Sequence, residues 1–250
     1  VRIDGFWGVV AVPGVVFLAT LVRSTFGFGE ALIGVPLLAL FLPVTLAAPI
    51  AVLVSITVSV LVLVQDFEHV ALRSASWLVL FSALGIPLGL WVLKSAPEAW
   101  VKAGLAGVIL AFCAYSLRRG ARPELKDDRL AWVFGFGAGV LGGAYGMNGP
   151  PLAVYGTLRR WSPARFRATL QGYFLFASAL GMVGYWSAGL WTGALNRAYL
   201  ISLPGVAVGV LLGRVLNRRF DAERFHRAVF LGLTGVGLLL LAETLLKASA

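Results

Sequence analysis

Charge is what this sequence has least of. Asp, Glu, Lys and Arg make up 13% of its 250 residues, against roughly 25% in a soluble globular domain. Too few are present to coat a water-facing surface. Cysteine is nearly absent as well. The single one, Cys113, sits inside an apolar run, so no intramolecular disulfide framework can form. The two histidines, His69 and His226, are far apart, and no Cys/His cluster has metal-ligand spacing. Asp66, Glu68 and His69 share one loop, which reads as a solvated turn. No metal and no cofactor is expected. Acidic residues number 11 against 21 basic ones, for a net charge of +10. In a soluble chain that excess would point to nucleic acid. With 59% hydrophobic residues and a mean hydropathy of +0.88, it reports membrane orientation instead, and no nucleic-acid partner is expected. Scarce charge together with 12% aromatics also excludes a disordered chain. The partner this composition demands is the lipid bilayer.

Long apolar runs are what the chain does have. A membrane helix needs about 20 mostly apolar residues. Seven stretches meet that length, 5–26, 46–64, 75–94, 98–118, 130–147, 166–188 and 222–246, and an eighth, 194–216, does so despite Pro204. The first resembles a signal peptide, but it lacks a small-residue cleavage site and is read as mature protein. Two further apolar segments, 30–42 and 149–160, are too short to cross. Each follows a break: Gly27-Phe28-Gly29-Glu30 before the first, and Gly146-Met147-Asn148-Gly149-Pro150-Pro151 before the second. Such breaks survive at bilayer depth only where protein or a watery cavity satisfies the freed backbone groups.

The chain also resembles itself. Thr25-Phe26-Gly27-Phe28-Gly29 lies 119 positions before Ala144-Tyr145-Gly146-Met147-Asn148, and Gly85-Ile86-Pro87-Leu88-Gly89 lies 120 before Gly205-Val206-Ala207-Val208-Gly209. The sequence divides into an N-terminal repeat, 1–118, a basic linker, 119–129, and a C-terminal repeat, 130–250. Each repeat reads as five elements, opening with a long helix and a short half-helix. If each opening pair is a hairpin that enters and leaves on one side, the loops at 65–74, 118–129, 159–167 and 214–227 share one face. They carry fifteen basic residues against five on the other, which makes that face cytoplasmic. Five is odd, so the second repeat is inverted relative to the first. The expected fold is an all-α polytopic membrane protein of two inverted five-element repeats.

In that arrangement the two tips meet near the midplane. Each is a half-helix N-terminus carrying roughly +0.5 elementary charge and unpaired N–H groups, a ready site for an anion. Gly27, Gly29, Gly146 and Gly149 allow close approach to the backbone. Arg23 lies one turn before the first tip. It reads either as an anion-binding fork or as a side chain snorkelling to an interface. Glu30 either complements the helix dipole or carries a proton. Ser24, Thr25, Tyr145, Asn148 and Gln171 complete the candidate substrate-binding set. Asn148 and Gln171 are the better bets, because a buried amide must find a partner. Ser55, Thr57 and Ser59 read as close helix packing, as do Gly85/Gly89 and Gly205/Gly209. Gly137-Ala138-Gly139-Val140-Leu141-Gly142 satisfies a dinucleotide-binding pattern, but no strand precedes it.

At these motifs, Gly27-Phe28-Gly29 with Val35-Pro36-Leu37-Leu38 and Gly142-Gly143-Ala144-Tyr145-Gly146-Met147-Asn148-Gly149-Pro150-Pro151, the chain resembles the TauE/SafE sulfite exporter family, also called the toluene-sulfonate uptake permease family. The likeness covers about residues 8–245. It implies transport of sulfite, organosulfonates or related small organic acids across the bacterial inner membrane. The chain departs from the family by placing Glu30 where a small residue is usual and Pro150-Pro151 where glycine is. The expected activity is secondary transport of a small anion by alternating access, coupled to protons. The alternatives are a passive anion channel using the same site and a membrane-embedded enzyme. The last would need a nucleophile–base pair or a metal triad, and the sequence offers neither. Exposed Gly-rich faces permit a homodimer.

Overall fold

The computed structural model describes residues 10–118, 123–219 and 222–248. The start of the 5–26 span, Arg2, and the linker residues Arg119 and Arg122 lie outside them. The described residues form ten α-helices and no strand: α1 (Val12–Phe26), α2 (Glu30–Ala39), α3 (Val44–Asp66), α4 (Leu72–Ser95), α5 (Glu98–Leu117), α6 (Ala131–Tyr145), α7 (Gly149–Leu158), α8 (Pro163–Ser187), α9 (Gly193–Arg219) and α10 (Ala222–Ala248). Local chemistry explains several boundaries. Ser162 accepts a hydrogen bond from the Arg165 amide at the start of α8, with Pro163 as first helical residue. Gly27 and Gly146 close α1 and α6 in the left-handed conformation, which costs glycine nothing.

Five helices, α3, α4, α5, α9 and α10, are long and apolar enough to cross a bilayer. The expected spans 5–26 and 130–147 behave differently. Each ends as a helix of 15 residues, about 22 Å at 1.5 Å per residue, short of the hydrocarbon thickness. The chain then reverses. A Cβ built on Gly34 of α2 would lie 3.4 Å from the Ala19 Cβ of α1. In the second half, the Phe134 and Tyr155 rings stand 5.3 Å apart across α6 and α7. Both opening pairs are therefore hairpins. The remaining span, α8, has the length but less apolar character, because Gln171, Tyr173, Ser178 and Tyr185 turn into protein. Large apolar side chains such as Leu84, Trp91, Leu211 and Leu239 are exposed, as a lipid solvent requires and water would penalise.

The helices pair across the halves. α4 packs along α6 and α9 along α1, while α3 meets α8 and α5 meets α10. Exchanging the halves leaves that pattern unchanged. Gly85 and Gly89 sit on the backbone of Phe136, Gly139 and Val140, and Gly205 and Gly209 on that of Pro13 and Phe17. The expected small-residue contacts are these two crossings. Segments from three of the basic loops gather at one end of the bundle. There the Leu125 amide donates to the Leu158 carbonyl (2.8 Å) and the Ala71 amide to Thr169 Oγ1 (2.9 Å). At the other end Lys94 Nζ donates to the Ala188 carbonyl (3.0 Å).

Candidate functional site

The two hairpin tips meet inside the protein. Arg23, Gly29, Glu30 and Ser55 from the first half and Gly146, Asn148, Gly149 and Pro150 from the second line one cavity of about 20 Å³, with Phe174 of α8 on its side. That volume holds roughly one water molecule. Phe28 lies close under Gly149: a Cβ built there would be 3.7 Å from the ring. The first tip needs glycine twice, because Gly27 (φ +87°) and Gly29 (φ +103°) both adopt backbone that side chains disfavour. Gly27 is also pinned from outside, since any Cβ would collide with the Arg167 stem.

Arg23 is the centre of the polar chemistry. It comes off the last turn of α1, is only 2% exposed, and does not snorkel to an interface. One terminal nitrogen, Nη1, donates to Glu30 Oε2 and, at 2.7 Å, to Ser55 Oγ. The other, Nη2, donates to Ser59 Oγ (2.6 Å) and Gln171 Oε1 (2.7 Å). The Gln171 amide donates in turn to the Gly27 carbonyl (2.9 Å), tying α8 to the first tip. The guanidinium carbon lies 4.9 Å from the centre of the Phe174 ring, within cation–π range. Arg23 Nε and Glu30 Oε1 have no hydrogen-bond partner among the described residues. A buried ion pair tolerates desolvation only when further hydrogen bonds satisfy it, and α3 and α8 supply those bonds here.

The amides at the two tips are unequal. No side chain caps the start of α2, so the first N–H groups of Glu30, Ala31 and Leu32 have no helical acceptor. α7 begins Gly149-Pro150-Pro151, and proline has no N–H. The second tip therefore offers the Asn148 and Gly149 amides, while the Asn148 side chain borders the cavity but packs on Gly142 and bonds the Tyr173 hydroxyl.

The structure brings Arg23, Gly29, Glu30, Gly146, Asn148 and Gly149 to the cavity. It places Gln171 and Gly27 directly behind, through the hydrogen bonds above. Three expected residues lie elsewhere. Ser24 packs against α9, where a Cβ on Gly213 would meet its Cβ at 2.4 Å. Thr25 donates to the Leu21 carbonyl of its own helix (2.8 Å). The Tyr145 hydroxyl faces Gly104 on α5. A helix turns about 100° per residue, so neighbours of Arg23 and Gly146 point away from them. Sequence reasoning assigned Ser55 and Ser59 to packing, yet both hold the guanidinium. Their i,i+4 spacing puts both on one face of an apolar helix, a signal shared by ordinary helix packing.

A second polar cluster lies at the base of the other hairpin. Asp128, just before α6, accepts hydrogen bonds from Ser74 Oγ of α4 (2.7 Å) and the Tyr155 hydroxyl of α7 (2.6 Å), and lies 3.5 Å from an Arg159 guanidinium nitrogen. Burial works against its charge. The two hydroxyl donors and the Arg159 and Arg73 cations outweigh it and hold the carboxyl below the usual carboxylate range.

Comparison with known proteins gives the family. A family model described as "Sulfite exporter TauE/SafE" matches residues 12–240. The "Probable sulfite/organosulfonate exporter TauE" of Cupriavidus necator is 26% identical over 220 residues, covering 85% of this chain and 84% of the relative. The "Probable inner membrane transporter protein TsaS" of Comamonas testosteroni is 24% identical over 182 residues, covering 69% and 73%. No solved structure matches.

Proposed function

The chain belongs to the TauE/SafE sulfite exporter family, a family of membrane transporters, and from that premise we propose that it moves a small anion across the bacterial inner membrane by alternating access. The observation that carries this reading is the shared cavity: both glycine tips and a buried arginine border one space in the protein interior. The anion would sit against the Arg23 fork and the open amides of α2, with Asn148 and Gly149 closing the far side. Those donors suit a planar or pyramidal oxyanion. The name of the Cupriavidus necator relative supports sulfite and organosulfonates as first candidates.

Several further features belong to the same proposal. The halves would be inverted repeats that rock against each other around the α3–α8 contact, with the basic loops cytoplasmic. Protons would drive uphill movement through Glu30, since no nucleotide-binding motif supplies another energy source. A homodimer would form through lipid-facing surfaces. A passive channel is the rival reading, and a cavity that holds about one water favours alternation over a standing pore.

The test is flux in liposomes containing only the purified chain, with a labelled short-chain sulfonate. Wild-type protein is expected to concentrate the anion when a proton gradient is imposed. Arg23→Ala is expected to lower uptake at least about 100-fold, the loss of several charge-assisted hydrogen bonds. Wild-type flux in that variant would remove Arg23 from the site. Flux that never runs uphill would favour the channel.

A further inference from the structure

Glu30 borders two cavities. On one side lies the polar cavity of about 20 Å³ that holds the hairpin tips. On the other is a smaller one of about 10 Å³, walled otherwise by Val16 and Ala19 of α1, Gly34 and Leu38 of α2, and Ile50, Ala51 and Val54 of α3. The first suits a carboxylate held by Arg23. The second, at the limit for one water, takes a carboxyl only as its aliphatic walls give, and then only a neutral one. Gly34, one turn beyond Glu30, leaves that second space open.

Resting on the anion-transport reading above, we propose that the Glu30 carboxylate is a tethered stand-in for the substrate, which the arriving anion displaces from Arg23 toward the apolar cavity as the neutral acid. Space and charge carry the argument. The polar cavity is too small for an oxyanion while Glu30 occupies the guanidinium, so binding must move Glu30. Once displaced, a charged carboxylate would leave Arg23, its one charged partner among the described residues, for aliphatic walls. The remaining neighbours offer no replacement. α3 presents Ser55, the second tip Asn148, and α8 Gln171 and Phe174; Arg167, one turn before Gln171, packs its stem on Gly27 and lines neither cavity. On α5, Cys113 contacts Thr234 of α10, and neither it nor Tyr115 lines either cavity. Lys102 is paired with Glu98 at the start of α5, and Glu243 sits near the end of α10.

Displacement is therefore completed by one proton, taken from water onto a Glu30 oxygen. The site starts as Arg23⁺ with Glu30⁻ and ends as Arg23⁺ with a bound monoanion and a neutral acid. Its net charge is unchanged. On release the proton leaves Glu30, which returns to Arg23 and reseals the cavity. Anion and proton thus travel together, one for one, and a monoanion crosses without net charge movement.

Methanesulfonate is the probe, because its own charge is constant across the neutral range. With purified full-length protein in detergent, calorimetry in buffers of different ionisation enthalpy is expected to show uptake of one proton per anion bound. The Kd should weaken about tenfold per pH unit as pH rises. Glu30→Gln should bind more tightly, with a flat pH profile and no proton uptake. In liposomes, wild-type methanesulfonate flux should ignore an imposed membrane potential, whereas Glu30→Gln flux should respond to it. Wild-type binding without proton uptake would overturn the proposal and leave anion transport standing. Failure of wild type to bind any sulfonate, or undiminished binding by Arg23→Ala, would instead sink the reading beneath it. Gly34→Ala narrows the second cavity without touching the first, and its new Cβ meets Ala19 at an ordinary 3.4 Å. Several-fold weaker binding with the pH slope retained is expected; wild-type affinity would show that Glu30 does not move there. The wild-type proton count stands as a test even if a variant fails to fold.

Discussion

The two hairpin tips share a backbone plan and divide the chemistry between them. Both end a 15-residue helix on a left-handed glycine and start a half-helix of 10 residues at the same cavity. The first brings an arginine, a glutamate and three uncapped amides. The second brings no charge, an asparagine, and two prolines that remove donors. The two tips thus share the turn, which only glycine and close packing satisfy, while their side chains differ. The first tip is the chemical half of the site and the second is its wall.

Arg23→Ala tests that division most severely. Besides lost flux, it strands Glu30 as an unpaired buried acid, and a stability loss of about 3–5 kcal/mol is expected. Arg23→Met combined with Glu30→Leu should recover most of that stability in a denaturation assay without recovering transport. If the double variant transported, charge at the first tip would be irrelevant.

Glycine replacement separates the tips by cause. Gly29→Ala has room, with Val22 Cγ1 at 3.7 Å, but φ is +103°, so backbone strain of about 1–3 kcal/mol is expected. Gly146→Ala has an easier φ of +64°, but its Cβ would lie 2.8 Å from the Ala48 carbonyl. Its loss should be reduced by a variant that shifts α3, whereas that of Gly29→Ala should not.

Asn148→Asp places a negative charge on the wall. A drop in sulfonate affinity of about tenfold, roughly 1.4 kcal/mol, is expected, increasing at low salt. An effect as large as that of Arg23→Ala would make the tips equals.

The smallest effect on transport is expected at the base of the second hairpin. Because the folded Asp128 carboxyl sits below its ordinary range, its contribution is present above the unfolded value and is lost as pH falls through the folded one. Asp128→Asn should cost about 1–2 kcal/mol at neutral pH and flatten the acid limb of the stability curve. An unchanged acid limb would show that the cluster does not brace the hairpin.

Much of this was legible in advance for a physical reason. Glycine, proline and apolar length act locally, so the ten elements, both breaks and the hairpins could be read from neighbours in the chain. Arg23 and Glu30 declared themselves by being charged inside apolar sequence. Ser55 and Ser59 did not, because a serine in an apolar helix ordinarily bonds its own backbone. Only the crossing of α3 with α8 turns that face toward Arg23. Ser24 and Thr25 misled in the opposite way, since adjacency along a helix places side chains on different faces.

By itself, then, the sequence determined the solvent of this protein, its helices and the points where they break, all set by composition and short-range backbone preference. Tertiary structure alone decided that Arg23 meets Glu30, two serines and a glutamine, that the tips close on a space the size of a water, and that Glu30 borders a second, apolar space. Those outcomes depend on which helix faces meet, at separations from 7 residues for Glu30 to 148 for Gln171, and the rotation of each face is set by packing rather than by its own residues.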